Sequence, residues 1–254
     1  MMRPTPDSEA WNSHWSAFDA ATRHNPAHKY RRELIFSAIT GHRATHLRVL
    51  DLGCGQGDFL REARRRLPHA ELAGIDKSTA GLELAQTRVP DARLHCADFS
   101  EPSQLPQEWL GRASHVVCSE VLEHLDDPLN LLVSARQLLA PDGVVIVTVP
   151  GGPRTAFDRH IGHRRHYTPA QLAALMENAG LDTLHVAGAG FPFFNLYKTV
   201  VLLRGNQLAR DIDQNRGVSK ASMLAMSAFD RLFRWNTAST ALGWQTFGVF
   251  RKRR

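Results

Sequence analysis

The sequence predicts a doubly wound α/β protein built on a mostly parallel, seven-stranded sheet. Short apolar segments of strand composition alternate with helix-length segments through the middle of the chain. The segment GVVIVTVP at 143–150 is apolar almost throughout, as expected for a strand that helices cover on both faces. Strands and helices that alternate in this way form βαβ crossovers, which place helices on both faces of a parallel sheet.

The first five strands follow one another between helices in chain order. Proline at positions 68 and 90 ends the first two of these helices, because it cannot continue a helical hydrogen-bond ladder. We expect strands at 47–52, 70–76, 92–98, 114–120 and 143–150, with helices at 58–67, 79–88 and 128–139.

The two ends of the chain carry the remaining elements. Segment 151–167 is polar and contains glycine, so we expect a loop, and Thr168 with Pro169 then begins a helix that ends at Gly180. We expect a sixth strand at 181–188, with the last strand, 244–252, antiparallel beside it. We divide the chain into N-terminal helices that cap the substrate (1–46), a core (47–189), a helical insertion or lid (190–241) and a last strand with a basic tail (242–254).

Composition limits the kind of protein. The 254 residues are 43% hydrophobic and 22% charged, and no stretch reaches the roughly 18 apolar residues of a membrane span. Cys54, Cys96 and Cys118 lack the spacing of a disulfide framework or a zinc site, and the first residues lack the apolar core of a secretory signal. We therefore expect a cytoplasmic protein.

The positive charge is spread along the chain. The net charge is +6, and the densest basic segments are 159–166 and the tail 251–254. Because a basic tail is more often a solubilising end than a nucleic-acid arm, we do not expect nucleic acid to be the main partner.

The most informative short motif is VLDLGCGQGD at 49–58, where a strand turns into a helix. Alternating glycines let the backbone approach a ligand closely and open a helix N-terminus. A phosphate-binding P-loop would need a following lysine, and a dinucleotide fingerprint would need glycine or alanine where Asp58 stands. Acids on both sides of the glycines suit a positively charged ligand such as S-adenosylmethionine. Asp76, about 20 residues farther on, is placed to accept both ribose hydroxyls, although it could also cap the next helix.

With CAD at 96–98 and SEVLEHLDD at 119–127, these motifs resemble the seven-stranded, class I S-adenosylmethionine-dependent methyltransferases. The resemblance covers about 47–188 and implies their Rossmann-like methyltransferase fold. By this likeness, the glycine turn lines the methionine part, Asp76 holds the ribose, residues 97–99 flank the adenine, and residues 119 and 120 lie near the methyl group. The implied cofactor-binding residues are Asp51, Gly53, Cys54, Gly55, Gly57, Asp76, Lys77, Ala97, Asp98, Phe99, Ser119 and Glu120.

Acids and histidines follow the fourth and fifth strands, where the acceptor is expected. The pattern Glu120-x-x-Glu123-His124, with His163 in a later loop, resembles ubiquinone-pathway O-methyltransferases and small-RNA terminal 2′-O-methyltransferases. The resemblance implies a divalent metal such as magnesium on Glu120, Glu123, His124 and His163. Alternatively, His163, His124 and Glu120 act in catalysis without a metal, or Glu123 and His124 only form and cap a short helix. Whether His163 is a base or a metal ligand, we expect activity to rise with pH near about 6.5, because either role needs a neutral imidazole.

These motifs predict a methyltransferase that acts on an oxygen of a small, partly apolar molecule. The alternatives are an RNA 2′-O-methyltransferase and a cofactor-binding scaffold that has lost catalysis. The apolar segment 190–205 is expected to be a core helix of the insertion, a lid over the acceptor, or a peripheral contact with lipid. Trp11, Trp15 and Phe18 are expected on N-terminal helices, where the tryptophans pack in the core or reach the acceptor.

Overall fold

The computed structural model describes residues 25–42, 44–98, 104–154, 156–213 and 220–253. Seven strands form one sheet in the order β3-β2-β1-β4-β5-β7-β6. The strands from β1 to β5 pair in parallel, whereas β7 lies antiparallel between β5 and β6. The strands are β1 (Arg48–Leu52), β2 (Glu71–Asp76), β3 (Arg93–Cys96), β4 (Ala113–Ser119), β5 (Leu139–Pro150), β6 (Leu181–Ala189) and β7 (Gln245–Lys252).

Helices cover both faces of this sheet. In β1, Val49 belongs to one buried apolar cluster and its neighbour Leu50 to the other, because successive side chains of a strand point to opposite faces. The helices are α1 (Pro26–Gly41), α2 (Asp58–Arg66), α3 (Thr79–Arg88), α4 (Leu129–Leu138), α5 (Ala156–His160), α6 (Pro169–Asn178), α7 (Phe193–Asp213) and α8 (Lys220–Leu232). The predicted doubly wound α/β fold is confirmed.

Local sequence signals account for several boundaries. Thr168 caps α6 through a full capping box with Gln171, and Pro169 occupies the first turn as predicted. Gly180 follows the helix in the left-handed region at φ 75°.

Three predicted elements differ from the structure. Strand β5 begins at Leu139 rather than at 143, because Leu139 already pairs with Ala113 before an irregularity in the ladder. Strand β3 is shorter than predicted, at four residues. The segment 151–167 was expected to be a loop throughout, but it contains the short helix α5. Trp11, Trp15 and Phe18 lie outside the described residues.

The strand order reverses between β1 and β4, which places a crevice at their carboxyl ends. Ligands of open α/β sheets bind in such a crevice. The glycine turn follows β1, the Glu120 segment follows β4, and the histidine-containing segment follows β5. Within the part of the chain that the structure describes, no helix has the length and apolarity needed to cross a bilayer.

Candidate active site

The glycine turn is held by backbone geometry that other residues would resist. Gly53, Gly55 and Gly57 all have positive φ, at 78°, 50° and 77°. The N–H of Gly53 donates to the carbonyl of Ile75 at 2.8 Å, which ties the turn to β2. A Cβ atom on Gly53 would lie 2.4 Å from Val121 Cγ2, so the turn passes directly under the segment that follows β4. The sequence thus leaves a bare backbone where a ligand can approach closely.

Asp76 closes the second side of this turn. Its Oδ2 accepts from the N–H of Gly55 and its Oδ1 from the N–H of Ser78, both at 2.8 Å. Ser78 rather than Asp76 caps helix α3, by accepting from the N–H of Gly81 at 3.0 Å. A carboxylate has about four lone-pair sites, so Asp76 keeps capacity for a further donor such as a ribose hydroxyl. Burial raises the pKa of Asp76, and its backbone donors, together with the charge of Lys77, counteract part of that shift.

Asp51 lies in an environment that is unfavourable to negative charge. It is only 4% exposed at the end of β1. Burial, with the nearby charge of Asp76, raises the pKa of Asp51 to about 8. A ligand with a positive group at this position would stabilise the ionised carboxylate. The two acids and the glycine turn therefore fit a cationic cofactor, as the sequence suggested.

The other predicted cofactor residues that the structure describes end or follow β1, β2, β3 and β4 at the same edge of the sheet. Ala97 is buried and donates its N–H to the Asp76 carbonyl at 3.1 Å, whereas the Asp98 side chain is exposed. Cys54 is buried, and desolvation raises the pKa of its thiol well above the usual value. Ser119 shares a 2.8 Å hydrogen bond with the hydroxyl of Thr148 on β5. Lys77 is half-buried beside Asp76, and Phe99 lies outside the described residues.

Glu120 adopts a backbone conformation that is uncommon for a side-chain-bearing residue. Its φ is 58°, in the left-handed region, directly after β4. Its Oε2 lies 3.2 Å from a guanidinium nitrogen of Arg31 on α1, and its Oε1 accepts from Gln245 Nε2 at 2.9 Å. Sequence reasoning missed Arg31 and Gln245, because only the fold brings residues so distant in the chain to Glu120. The conformation turns this carboxylate towards α1 and β7.

Three of the four predicted metal-binding residues form a compact group. Glu123, His124 and His163 each offer one potential ligand atom, and these atoms lie within 4.8 Å of one another. The rings of His124 and His163 are edge to face with centroids 4.8 Å apart. Glu120 lies outside this group, because its two oxygens face Arg31 and Gln245.

Hydrogen bonds from Arg164 hold the histidine segment, residues 160–166, against the residues that follow β4. The N–H of Arg164 donates to the Glu123 carbonyl at 2.8 Å, and Arg164 Nε donates to the His124 carbonyl at 2.9 Å. The N–H of His163 in turn donates to the Asp158 carbonyl of α5 at 2.8 Å. The position of His163 is therefore set by the short helix that the sequence did not predict.

A second set of polar side chains surrounds His163. Asp158 is 1% exposed; its carboxylate lies 3.8 Å from His163 Nδ1 and 3.7 Å from His166 Nε2. Lys198 on α7 reaches the same carboxylate at 3.3 Å. Helix α7 is thus connected to the residues around His163 through one ion pair. Neither Asp158 nor Lys198 carries a motif that sequence reasoning could have used.

Burial keeps the imidazole of His163 neutral. Desolvation, followed by the influence of His124, lowers the pKa of His163 to about 3. The expected rise in activity near pH 6.5 therefore has no source in this residue. A base with so low a pKa is inefficient at neutral pH, whereas a neutral imidazole is the form that coordinates metals.

The buried group fits a metal ion by its donor chemistry. Glu123 is fully buried, and in the described part of the chain neither of its carboxylate oxygens has a hydrogen-bond partner. Such a group costs free energy unless an ion or proton satisfies it, and burial raises the pKa of Glu123 well above the usual value. Two imidazoles with one carboxylate suit a first-row transition metal better than magnesium, which prefers oxygen ligands.

Comparisons with known proteins identify the family. A family model described as "Methyltransferase domain" matches residues 22–186. The ubiquinone biosynthesis O-methyltransferase of Pseudomonas aeruginosa (strain UCBPP-PA14) is 28% identical over 186 residues, covering 66% of this chain and 75% of the relative. The enzyme of the same name from Psychrobacter arcticus is 30% identical over 161 residues, covering 56% and 61%.

Two solved structures are similar in fold. A TehB-like SAM-dependent methyltransferase from Corynebacterium glutamicum has a TM-score of 0.55 at 16% identity, with 97% of this chain and 98% of that chain covered. Phosphoethanolamine N-methyltransferase 2 of Haemonchus contortus, in complex with S-adenosyl-L-methionine, has a TM-score of 0.55 at 19% identity, covering 85% and 52%. Because the family match spans more than half of the chain and the sheet has the predicted architecture, the chain belongs to the class I S-adenosylmethionine-dependent methyltransferases.

Proposed function

We propose that this enzyme transfers the methyl group of S-adenosylmethionine to an oxygen of a small, partly apolar molecule. The observation that carries the proposal is the buried group of Glu123, His124 and His163 beside the crevice. Transfer to a hydroxyl oxygen requires that its proton leave, either to a base or with help from a metal. The relatives named ubiquinone biosynthesis O-methyltransferase support the choice of oxygen.

In this proposal, residues on one side of the crevice bind the cofactor and residues on the other side bind the acceptor. On the cofactor side, the glycine turn and Asp51 receive the methionine part, and Asp76 orients the ribose through its remaining lone pairs. When bound, S-adenosylmethionine supplies a sulfonium methyl group that reacts by in-line displacement. Since such a reaction depends strongly on positioning, the strained backbone at Glu120 and its contacts with Arg31 fix the boundary between the two sides.

On the acceptor side, His163, His124 and Glu123 would hold a divalent metal. The metal, when bound, would lower the pKa of an acceptor hydroxyl and orient it. The low pKa of His163 favours this role over that of a general base. His163 Nδ1 lies 3.3 Å from His166 Nε2, and the Asp158 carboxylate lies beside both rings, where it would help to orient them. Lys198 balances the charge of Asp158.

The RNA alternative has less support from the basic segment 159–166. The guanidinium of Arg164 donates to the His124 carbonyl and to the Asp126 carboxylate. The guanidinium of Arg165 donates to the backbone carbonyls of Leu125 and Asp126. These arginines brace the histidine segment, so their charge is partly used within the protein. A small-molecule acceptor therefore remains the better account, and we place the enzyme in the cytoplasm.

Incubation with methyl-labelled S-adenosylmethionine and a metabolite extract tests the proposal. We expect label to enter a small molecule with a methoxy group, and we expect Asp76→Ala to abolish the labelling at low cofactor concentration. Exhaustive chelation should abolish turnover, and manganese should restore it more effectively than magnesium. Cofactor binding without any labelled product would indicate a scaffold instead. Label recovered only in RNA would support the RNA alternative, and turnover after chelation would remove the metal role.

A further inference from the structure

The insertion exposes large apolar side chains in unusual density. Among the residues that the structure describes, ten large hydrophobic side chains are exposed, and eight of them lie between positions 191 and 242. The most exposed are Leu203 at 83%, Leu224 at 74% and Trp235 at 71%. Exposed apolar side chains scattered singly are ordinary, but a concentration on one part of the surface marks an interaction site.

Most of these side chains lie on α7, on α8 packed beside it, or on the segment that follows α8, and we call the surface they form the insertion face. Leu196, Val200 and Leu203 are spaced four and three residues apart on α7, so they share one side of the helix. Phe193 extends the same stripe by one turn, and its ring lies 6.2 Å from that of Trp235. The insertion face comprises the exposed side chains of Leu196, Val200, Leu203, Leu224, Trp235 and Leu242, with the half-buried Phe193 at its edge.

The segment between α8 and β7, and α8 itself, lie beside α7. Asn195 Nδ2 donates to the Leu242 carbonyl at 2.7 Å, which places Leu242 against the first turn of α7. On α8, Leu224 is followed at positions 228, 231 and 235 by exposed residues at helical spacing. Beside this surface the two helices pack against the core, and the rings of Tyr197 and Phe229 lie 5.3 Å apart. The exposed side is therefore a stable feature of two packed helices.

The charges that border the insertion face are positive. Arg204, Arg231 and Arg234 are exposed beside its apolar residues. In segments 191–204 and 222–242 the sequence contains one acid, Asp230. That acid is paired with Lys29 of α1 at 2.8 Å, and it faces the body of the protein. A second copy of the chain would bring the same arginines into opposition, whereas an anionic lipid surface would neutralise them.

We propose that the insertion face binds the surface of an anionic lipid bilayer, with leucines and Trp235 inserted among the headgroups and the arginines on lipid phosphates. Apolar and aromatic side chains beside Arg are the composition of helices that lie in a membrane interface. The bordering arginines add electrostatic attraction to anionic headgroups. This inference goes beyond the proposed function, since it concerns where the enzyme docks and not what it methylates.

The proposal also gives α7 a role between membrane and active site. The outer side of α7 carries the insertion face, while Lys198 on its inner side holds the Asp158 carboxylate next to His163. An acceptor that partitions into the bilayer would therefore meet the enzyme along the helix that borders the histidines. Methyl transfer and lipid binding can still be tested separately.

Flotation of the full-length protein with lipid vesicles tests the inference. We expect binding to vesicles of phosphatidylcholine mixed with phosphatidylglycerol, weaker binding to phosphatidylcholine alone, and a decrease in binding as salt rises. Leu203→Glu and Leu224→Glu should each lower the partition coefficient about tenfold or more, which corresponds to about 1.4 kcal/mol. The matched control is Leu84→Glu, because Leu84 is also exposed, at 42%, but lies on α3 away from the face.

Several outcomes would overturn the inference. Failure to bind anionic vesicles at low salt would do so, as would binding that Leu203→Glu and Leu84→Glu reduce equally. A wild-type dimer in sedimentation velocity that Leu224→Glu converts to a monomer, with no vesicle binding, would assign the face to a second copy. Labelled methyl transfer is measured without lipid in the same preparations, so loss of vesicle binding and loss of the enzymatic activity are distinguishable.

Discussion

Replacing Asp51 by asparagine should remove most of the pH dependence of cofactor binding. The carboxyl of Asp51 is buried and has a pKa of about 8, so at pH 6 only about one molecule in a hundred carries the ionised group. A cationic ligand binds the ionised form, which means that binding must release a proton below that pKa. The affinity of the wild type should therefore rise close to tenfold per pH unit from pH 6 and level off above about pH 8.

The asparagine variant retains the shape of the side chain and loses its charge. We expect its affinity to be lower than that of the wild type by about 10- to 100-fold at high pH, since charge-assisted contacts contribute about 1.5–3 kcal/mol. Any pH dependence that remains in the variant belongs to Asp76, whose pKa is also raised. Isothermal titration of S-adenosylmethionine, in buffers of different ionisation enthalpy, measures both the affinity and the proton released.

The same substitution should act on the stability of the ligand-free protein in the opposite direction. The folded state holds the Asp51 proton more tightly than the unfolded state, because the pKa rises from 3.8 to about 8 on folding. The stabilisation is therefore complete below about pH 3.8 and is lost as the pH rises through about 8. Thermal melts should show Asp51→Asn gaining stability relative to the wild type as pH rises. Equal pH slopes for the two proteins, in either binding or melting, would refute this account of Asp51.

Three further substitutions test other contacts. Asp76→Ala should weaken cofactor binding by about 1.5–3 kcal/mol for each ribose hydrogen bond lost, and unchanged affinity in calorimetry would contradict its assignment. Gly53→Ala should lower the free energy of unfolding, measured in urea, more than Gly111→Ala does. Both glycines have positive φ, which costs alanine about 1–2 kcal/mol, but only the Cβ at Gly53 would also clash, with Val121. Arg31→Ala removes the half-buried ion pair with Glu120 and should lower the free energy of unfolding by about 1.5–3 kcal/mol. The control Arg48→Ala removes an exposed ion pair with Glu71 and should lower it by about 0–1 kcal/mol. Equal losses would contradict the role given to Arg31.

The fold was predictable because its signals are local and repeated. Apolar strand segments alternate with helices over the whole core, and the capping box at Thr168 needs only four consecutive residues. The glycine turn was predictable for the same reason, since the conformation of Gly53, Gly55 and Gly57 depends on residue type.

The contacts of Glu120 and the position of Asp158 depend on tertiary structure instead. Gln245 reaches Glu120 only because β7 inserts antiparallel between β5 and β6, which brings together residues 125 positions apart. Asp158 lies on a helix within a polar segment that contains glycine and proline, and this composition favours a loop prediction. The sequence motif suggested Glu120 as a metal ligand, but its carboxylate pairs with Arg31 instead. That ion pair joins residues far apart in the sequence, so the motif alone could not predict it.

The central claim is that one side of the crevice holds the cofactor and that the histidine group serves the acceptor. The most direct measurement compares His163→Ala with the wild type in two assays: the affinity for S-adenosylmethionine by calorimetry, and the single-turnover rate of methyl transfer. Since His163 lies against Glu123, His124 and Asp158 and not against the glycine turn, we predict near-normal affinity with a transfer rate lowered by about 100-fold or more. A variant that transfers methyl groups at the normal rate, or one that loses cofactor affinity and rate equally, would contradict this division of the site.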